Sequence, residues 1–273
     1  MKSHRVLLVG HSHANCIASA LRTKAYEPTA DHYQARVVAN GAAALPGGLV
    51  VRDALNRELI NPVVLKSIQD HARLKPAPAI WLVSVLGGNH ASRLSLFRQK
   101  DDYWMSGTDR TIDDTGAGTF IPEDLLVRAI GRQLSSFASF LDLCSRQNLA
   151  GIIHIESPPP VRSAEYIFRH LPQKTLALAK AHQIDDLGVH SISDASFRLR
   201  AWQCQTLATR RILENVGGHY LPPPAEAIDT YGFLSEKFWA DAMHASQEYG
   251  ALVLRTLEDH IMRVASPDSG EHS

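Results

Sequence analysis

A serine, a histidine and an aspartate able to share one proton stand at opposite ends of this chain. Ser12 lies in Gly10-His11-Ser12-His13 near the start, while Asp241 and His244 close the stretch Asp241-Ala242-Met243-His244 near the end. A hydroxyl becomes a nucleophile when a base takes its proton, and the base needs an acceptor that holds its tautomer. Ser12, His244 and Asp241 fill those three roles in that order. The negative charge that develops on an attacked carbonyl also needs donors already in place. Candidates are the Ser12 amide, the Gly41 amide and the side-chain amide of Asn89, which sits in Gly87-Gly88-Asn89-His90 after an apolar run.

These residues need elements that deliver them to one place. Residues 6–9, 36–39, 80–86 and 151–156 read as short apolar strands, the pattern of strands buried on both faces of a parallel sheet. Residues 14–24, 63–73, 122–146, 166–182, 195–215 and 246–264 read as helices. Strands alternating with helices predict an α/β domain with a mainly parallel sheet, covered on both faces. Ser12, Gly41 and Asn89 each fall just past the carboxyl end of a predicted strand, the edge where open α/β sheets bind ligands. Ser12 would also sit near a helix N-terminus, whose unpaired N–H groups favour developing negative charge. Asp241 and His244 are spaced to meet on one helical turn.

Each residue alone has an ordinary reading. Serine is a favoured helix cap, Asn89 could simply close a turn, and Cys16 is expected to pack in the core. The ordered set is what points to catalysis. His11, His13 and His90 are expected to hydrogen-bond at the mouth of the site. No acidic ligand neighbours them and their spacing suits no zinc site. Residues 91–121 form a long polar stretch, read either as a wall or lid of an acyl pocket or as a solvated insertion. If it is a lid, Arg93, Phe97, Tyr103 and Trp104 would touch substrate.

The four blocks resemble those of the SGNH hydrolases, the GDSL-type lipases and esterases. Those proteins carry Gly-Asp-Ser, a glycine, Gly-x-Asn and Asp-x-x-His in that order; here the stretches are Gly10-His11-Ser12, Asn40-Gly41, Gly87-Gly88-Asn89 and Asp241 to His244. His11 and His90 stand where the family commonly has aspartates, which removes two acceptors that brace the loops. The resemblance, which runs from about residue 5 to 257, implies a single three-layer α/β/α sandwich of flavodoxin-like type; the domain is expected to span residues 1–265, and the small and polar residues 266–273 read as a disordered tail. The same resemblance implies hydrolysis of a short acyl ester, such as a sugar O-acetyl ester, through an acyl-serine, with no metal and no cofactor. An O-acyltransferase using the same triad, or a non-catalytic carbohydrate-binding module, are the alternatives. A histidine base makes the rate rise with pH over roughly the ordinary histidine range of about 6 to 7.

Composition fits that picture. The 273 residues carry 28 basic and 28 acidic side chains. That balance offers nothing to a nucleic acid or an anionic membrane, and a small-molecule or glycan ester is the expected partner. Three dispersed cysteines give no disulfide framework. The apolar run after Arg5 stops at Gly10, too short for an export signal, so a cytoplasmic location is expected.

Overall fold

The computed structural model describes residues 3–98, 103–106, 119–172, 175, 179, 184 and 186–265. Its centre is a five-stranded parallel sheet. The strands are β1 (His4–Gly10), β2 (Tyr33–Asn40), β5 (Ala79–Val85), β8 (Gly151–Ile155) and β9 (His219–Leu221), in the order β2-β1-β5-β8-β9. Two small pairs lie outside the sheet: β3 (Val50–Arg52) with β4 (Glu58–Ile60), and β6 (Tyr103–Trp104) with β7 (Thr119–Phe120).

Period-two alternation divides each central strand between two cores. Leu7, Val9, Ile80, Leu82 and Ile152 point to one face, where they meet α2 (Pro62–Ala72), α4 (Glu123–Gln133), α5 (Ser135–Ser145) and α7 (Ala195–Asn215). Val6, Leu8, Trp81, Val83 and Ile153 point to the other, against α1 (Ala14–Arg22) and α8 (Gln247–Ala265). The expected three-layer α/β/α sandwich with a parallel sheet is therefore present, with the flavodoxin-like strand order. In that order the chain leaves β1 to one side for β2 and to the other for β5, so a crevice opens past the carboxyl ends of β1 and β5. A smaller apolar cluster at this edge joins Leu96, Phe97, Val161, Ile167, Ile192 and Ala242. The helix α3 (Asn89–Ser95) starts directly at the crevice, and α6 (Ala164–Arg169) flanks it.

Several elements differ from the sequence expectation. Residues 122–146 form two helices, because Leu134 leaves helical geometry at φ −85°, ψ 10° and seats its buried side chain in the core. The helix expected over 166–182 ends at Arg169, two residues before Leu171, whose α conformation is disfavoured by Pro172. The rest of that span lies largely outside the described residues, as does the tail from 266. Strand β9 had no signal in the sequence beyond a glycine pair and a proline run. It forms because β8 leaves an open edge for His219, Tyr220 and Leu221 to pair with.

One buried group links the sheet to pH. His154 on β8 is 1% exposed and lies beside its ladder partner Ser84 on β5, with Nδ1 and the serine hydroxyl 2.8 Å apart. Burial pushes its pKa down to about 3 from 6.5. The unfolded chain therefore takes up a proton near pH 6.5 that the folded chain refuses until about pH 3. Stability is full above the unfolded value and falls as pH drops through that window. Urea unfolding should show a loss on the order of 2 kcal/mol between pH 6.5 and 4.5 that His154→Gln does not show. Equal pH slopes for the two proteins would mean that His154 ionises normally in the fold.

Candidate active site

The turn after β1 carries His11 and Ser12 and delivers His13 as the cap of α1. Backbone bonds from Ala14 N–H to the His11 carbonyl (2.9 Å) and from Asn15 N–H to the Ser12 carbonyl (3.1 Å) fix this turn. His13 is buried, and its ring centroid lies 5.3 Å from that of His244. The two ends of the chain thus meet at the crevice, with His244 beside the residue that follows Ser12.

Asp241 and His244 pair, though by a different route from the helical turn expected. The segment is a bend between Trp239 and Ala245, which form an isolated antiparallel bridge. The carboxylate itself closes that bend: Oδ1 accepts the amides of Met243 (2.8 Å) and His244 (2.9 Å). The ring nitrogen Nδ1 of His244 lies 2.8 Å from Oδ2 and 3.0 Å from Oδ1. Partial burial pulls the Asp241 pKa up, but the bonds from the imidazole and the two amides outweigh it and hold the carboxyl below its usual range. An ionised Asp241 keeps the Nδ1 proton in place and leaves Nε2 as the acceptor.

Gly41 departs from expectation. It has φ +90°, but its N–H already donates to the Gly10 carbonyl at 3.0 Å, extending the β1–β2 register. With that bond made, the amide is not waiting for a carbonyl oxygen, so Gly41 is removed as an oxyanion donor in this state. Asn89 occupies the first position of α3 beside Gly88; its side chain lies outside the described atoms. Gly88 is held in a tight gap. A Cβ there would come within 2.5 Å of His13 Cδ2 and 2.7 Å of Ser157 Cβ, so only glycine lets the start of α3 approach His13 this closely.

The other predicted residues scatter. His11 is half-buried, and its pKa is lowered first by burial and then by the nearby His90. His90 lies 3.0 Å from Gln133 Oε1 through Nδ1. Neither is among the residues that line the cleft beside His13. Arg93 is exposed on α3, and Trp104 packs on Phe120 at 4.6 Å between ring centroids; neither lines the cleft. Phe97 is buried in the edge cluster and Tyr103 packs against the core formed by one sheet face. Most of the expected lid lies outside the described residues.

The cleft beside His13 is walled by Gly88, Leu96, Pro158 to Val161, Arg198, Trp202 and the Ala242-Met243 bend. Sequence reading passed over the residues after β8 and those on α7 that build it. Glu156-Ser157 follows a parallel strand at the same edge as Ser12, so the rule that selected Ser12 applied there as well. Ser157 accepts from Trp202 Nε1 (3.2 and 3.3 Å) and from Gln205 Nε2 (3.3 Å), while Gln205 Oε1 accepts the Ala91 amide (2.9 Å). This network ties the first turn of α3 to β8. Glu156 is fully buried, and burial raises its pKa against the opposing bonds from Ser157. Among the described residues no group of three or more His, Cys, Asp or Glu side chains is placed to hold a metal, and no helix is long and apolar enough to cross a membrane.

No family model and no curated protein matches the chain. Solved structures similar to it include a carbohydrate acetylesterase from Sinorhizobium meliloti, 11% identical over 96% of this chain and 100% of that one, with a TM-score of 0.43. A GDSL-like lipase from Bacteroides thetaiotaomicron is 14% identical over 95% and 88%, TM-score 0.43. The periplasmic domain of a Salmonella ser. Paratyphi A lipopolysaccharide acetyltransferase is 14% identical over 95% and 84%, TM-score 0.41.

Proposed function

We propose that this chain is a serine esterase of the SGNH type, cleaving a short-chain carboxylic ester through an acyl-serine. One observation carries the reading: the Asp241 carboxylate grips Nδ1 of His244 at 2.8 Å, and that ring lies against His13, next to Ser12. In the reaction Ser12 Oγ attacks the ester carbonyl while His244 Nε2 takes its proton. The carbonyl becomes an oxyanion, received by the Ser12 amide and the side-chain amide of Asn89. As the oxyanion collapses, the bond to the alkoxy group breaks and His244 returns the proton to the departing alcohol. Water then attacks the acyl-serine while His244 takes its proton; the bond between the acyl carbon and Ser12 Oγ breaks as His244 returns that proton to Oγ, and the carboxylic acid leaves. Asp241 stays ionised throughout and holds the imidazolium that forms in each half.

A fluorophosphonate probe tests this directly. The native protein should become covalently labelled at Ser12 in intact-mass and peptide analysis, and Ser12→Ala should not react. A folded native protein that resists labelling and cleaves none of a panel of p-nitrophenyl and acetyl-sugar esters would remove the enzyme. Product analysis with added glycan separates water from a sugar hydroxyl as acceptor.

A further inference from the structure

Among the described residues that wall the cleft, a single side chain is charged at every ordinary pH, and it is a cation. Arg198, on α7, is 3% exposed. The other described lining residues are His13, glycine, alanine, serine, leucine, proline, valine, isoleucine, tryptophan and methionine, with no carboxylate among them. Among the described residues Arg198 has no buried acidic partner either. Its Nη atoms donate to the carbonyls of Ser193, Val161 (3.1 Å) and Arg162 (2.7 Å), and its Nε has no partner among the described residues. Asp194 lies close enough to act on it electrostatically, but it is half-exposed and pairs with Arg98 at 2.6 Å. Burial lowers the guanidinium pKa to about 10, so the charge persists at neutral pH.

A buried cation held mainly by carbonyl dipoles, with its nearest carboxylate half-exposed and paired elsewhere, keeps much of its field, and the apolar walls beside it screen that field weakly. The three carbonyls hold the side chain in place without neutralising it. The same cleft is bounded by Ala242 and Met243, the two residues between Asp241 and His244, and by His13, whose ring lies 5.3 Å from that of His244, so whatever enters it lies against the bend that carries His244.

We propose that the cleft receives the carboxylate of an anionic ester, which Arg198 draws in and orients against the Asp241–His244 bend. This rests on the esterase reading and narrows its substrate class: an ester carrying a second, free carboxylate within reach of the scissile group. The carboxylate can belong to the acyl part, as in a hemisuccinate, or to the alcohol part, as in an O-acetylated uronic acid. Proline, valine and isoleucine walls admit a carbon chain or a sugar face, and Arg198 is the group among the described lining residues that favours an anion over a neutral polar group.

The test compares kcat/KM on the intact protein for matched pairs. One pair is 4-nitrophenyl hydrogen succinate and its methyl ester; the other is O-acetylated galacturonate and its methyl ester. The anionic member should be preferred by about tenfold or more in one of the two pairs, as expected for a charge-assisted contact. Which pair shows it assigns the carboxylate to the acyl or the alcohol side. In Arg198→Met the ratio should fall toward one, and Arg198→Lys should keep part of it. Neutral members cleaved as well as or better than anionic ones in both pairs by the native protein would overturn the proposal and leave the esterase intact. No cleavage of any ester, with no probe labelling, would remove both. If Arg198→Met does not fold, succinate and galacturonate decide as competitive inhibitors of neutral-ester cleavage: they should outcompete their amides, and equal inhibition counts against the cleft.

Discussion

Gly250→Ala is expected to lower the stability of the fold by about 3 kcal/mol or more, a fall in Tm of roughly 6–12 °C for a protein of this size. Gly250 lies in the first turn of α8, where that helix crosses α1. A Cβ at this position would lie 2.2 Å from the Cys16 carbonyl oxygen, 2.3 Å from its carbon and 2.7 Å from the Ile17 nitrogen. These are backbone atoms, so no rotamer change relieves the contact; the two helices must move apart. Alanine also gains about 1 kcal/mol in helix propensity over glycine, and that gain is too small to offset the overlap. Gly131 on α4 supplies the control. A Cβ there meets nothing within 4 Å, so Gly131→Ala should stabilise by up to about 1 kcal/mol. The Gly250 effect should reach chemistry too, because Cys16 lies in the first turn of α1 and the displacement is carried to Ser12. Thermal unfolding and ester turnover measured on both variants check the pair. A Gly250→Ala protein as stable as Gly131→Ala would mean that the helices do not cross this closely.

How much of this was legible in the sequence depends on what each feature rests on. The central strands announced themselves because burial on both faces forces unbroken apolar runs such as 6–9 and 80–86. The edge rule then placed Ser12 and Asn89 correctly beyond the ends of β1 and β5. What escaped was structure created by partners. Strand β9 is three residues long and exists through its pairing with β8. The break at Leu134 depends on a core position that no local propensity marks. Arg198 looked like one more arginine in a polar helix face, since its burial follows from the carbonyls of residues 161, 162 and 193 folding over it. The Gly41 amide likewise looked available until its bond to Gly10 was visible.

The Asp241–His244 pair was read correctly as a pair and incorrectly as a helical turn, and the difference matters for what the carboxylate does. On a helix, the backbone would hold the spacing and the carboxylate would serve the imidazole alone. In the bend, the same carboxylate also receives two amides, so one group both shapes the loop and orients the imidazole. The edge cluster supports that bend from below through Ala242, with Trp239 and Met243 packed against it.

Asp241→Asn separates the two roles. The asparagine oxygen can still accept from the Met243 and His244 amides, so the bend should persist and Tm should change little. Its NH2 group then faces Nδ1 of His244, and two donors cannot share that contact. The ring answers by moving its proton to Nε2, the tautomer in which Nε2 can no longer take a proton from Ser12. A drop in kcat of about 10⁴-fold is expected by analogy with the same exchange in other serine triads, with KM changed far less. The rate of fluorophosphonate labelling should fall in parallel, because it depends on the same proton removal. Asp241→Ala differs in kind: it also loses the acceptor for both amides, so its Tm should drop along with its rate. An asparagine variant that keeps kcat within tenfold of the native protein would mean that Asp241 only shapes the loop, and the base would have to be sought elsewhere.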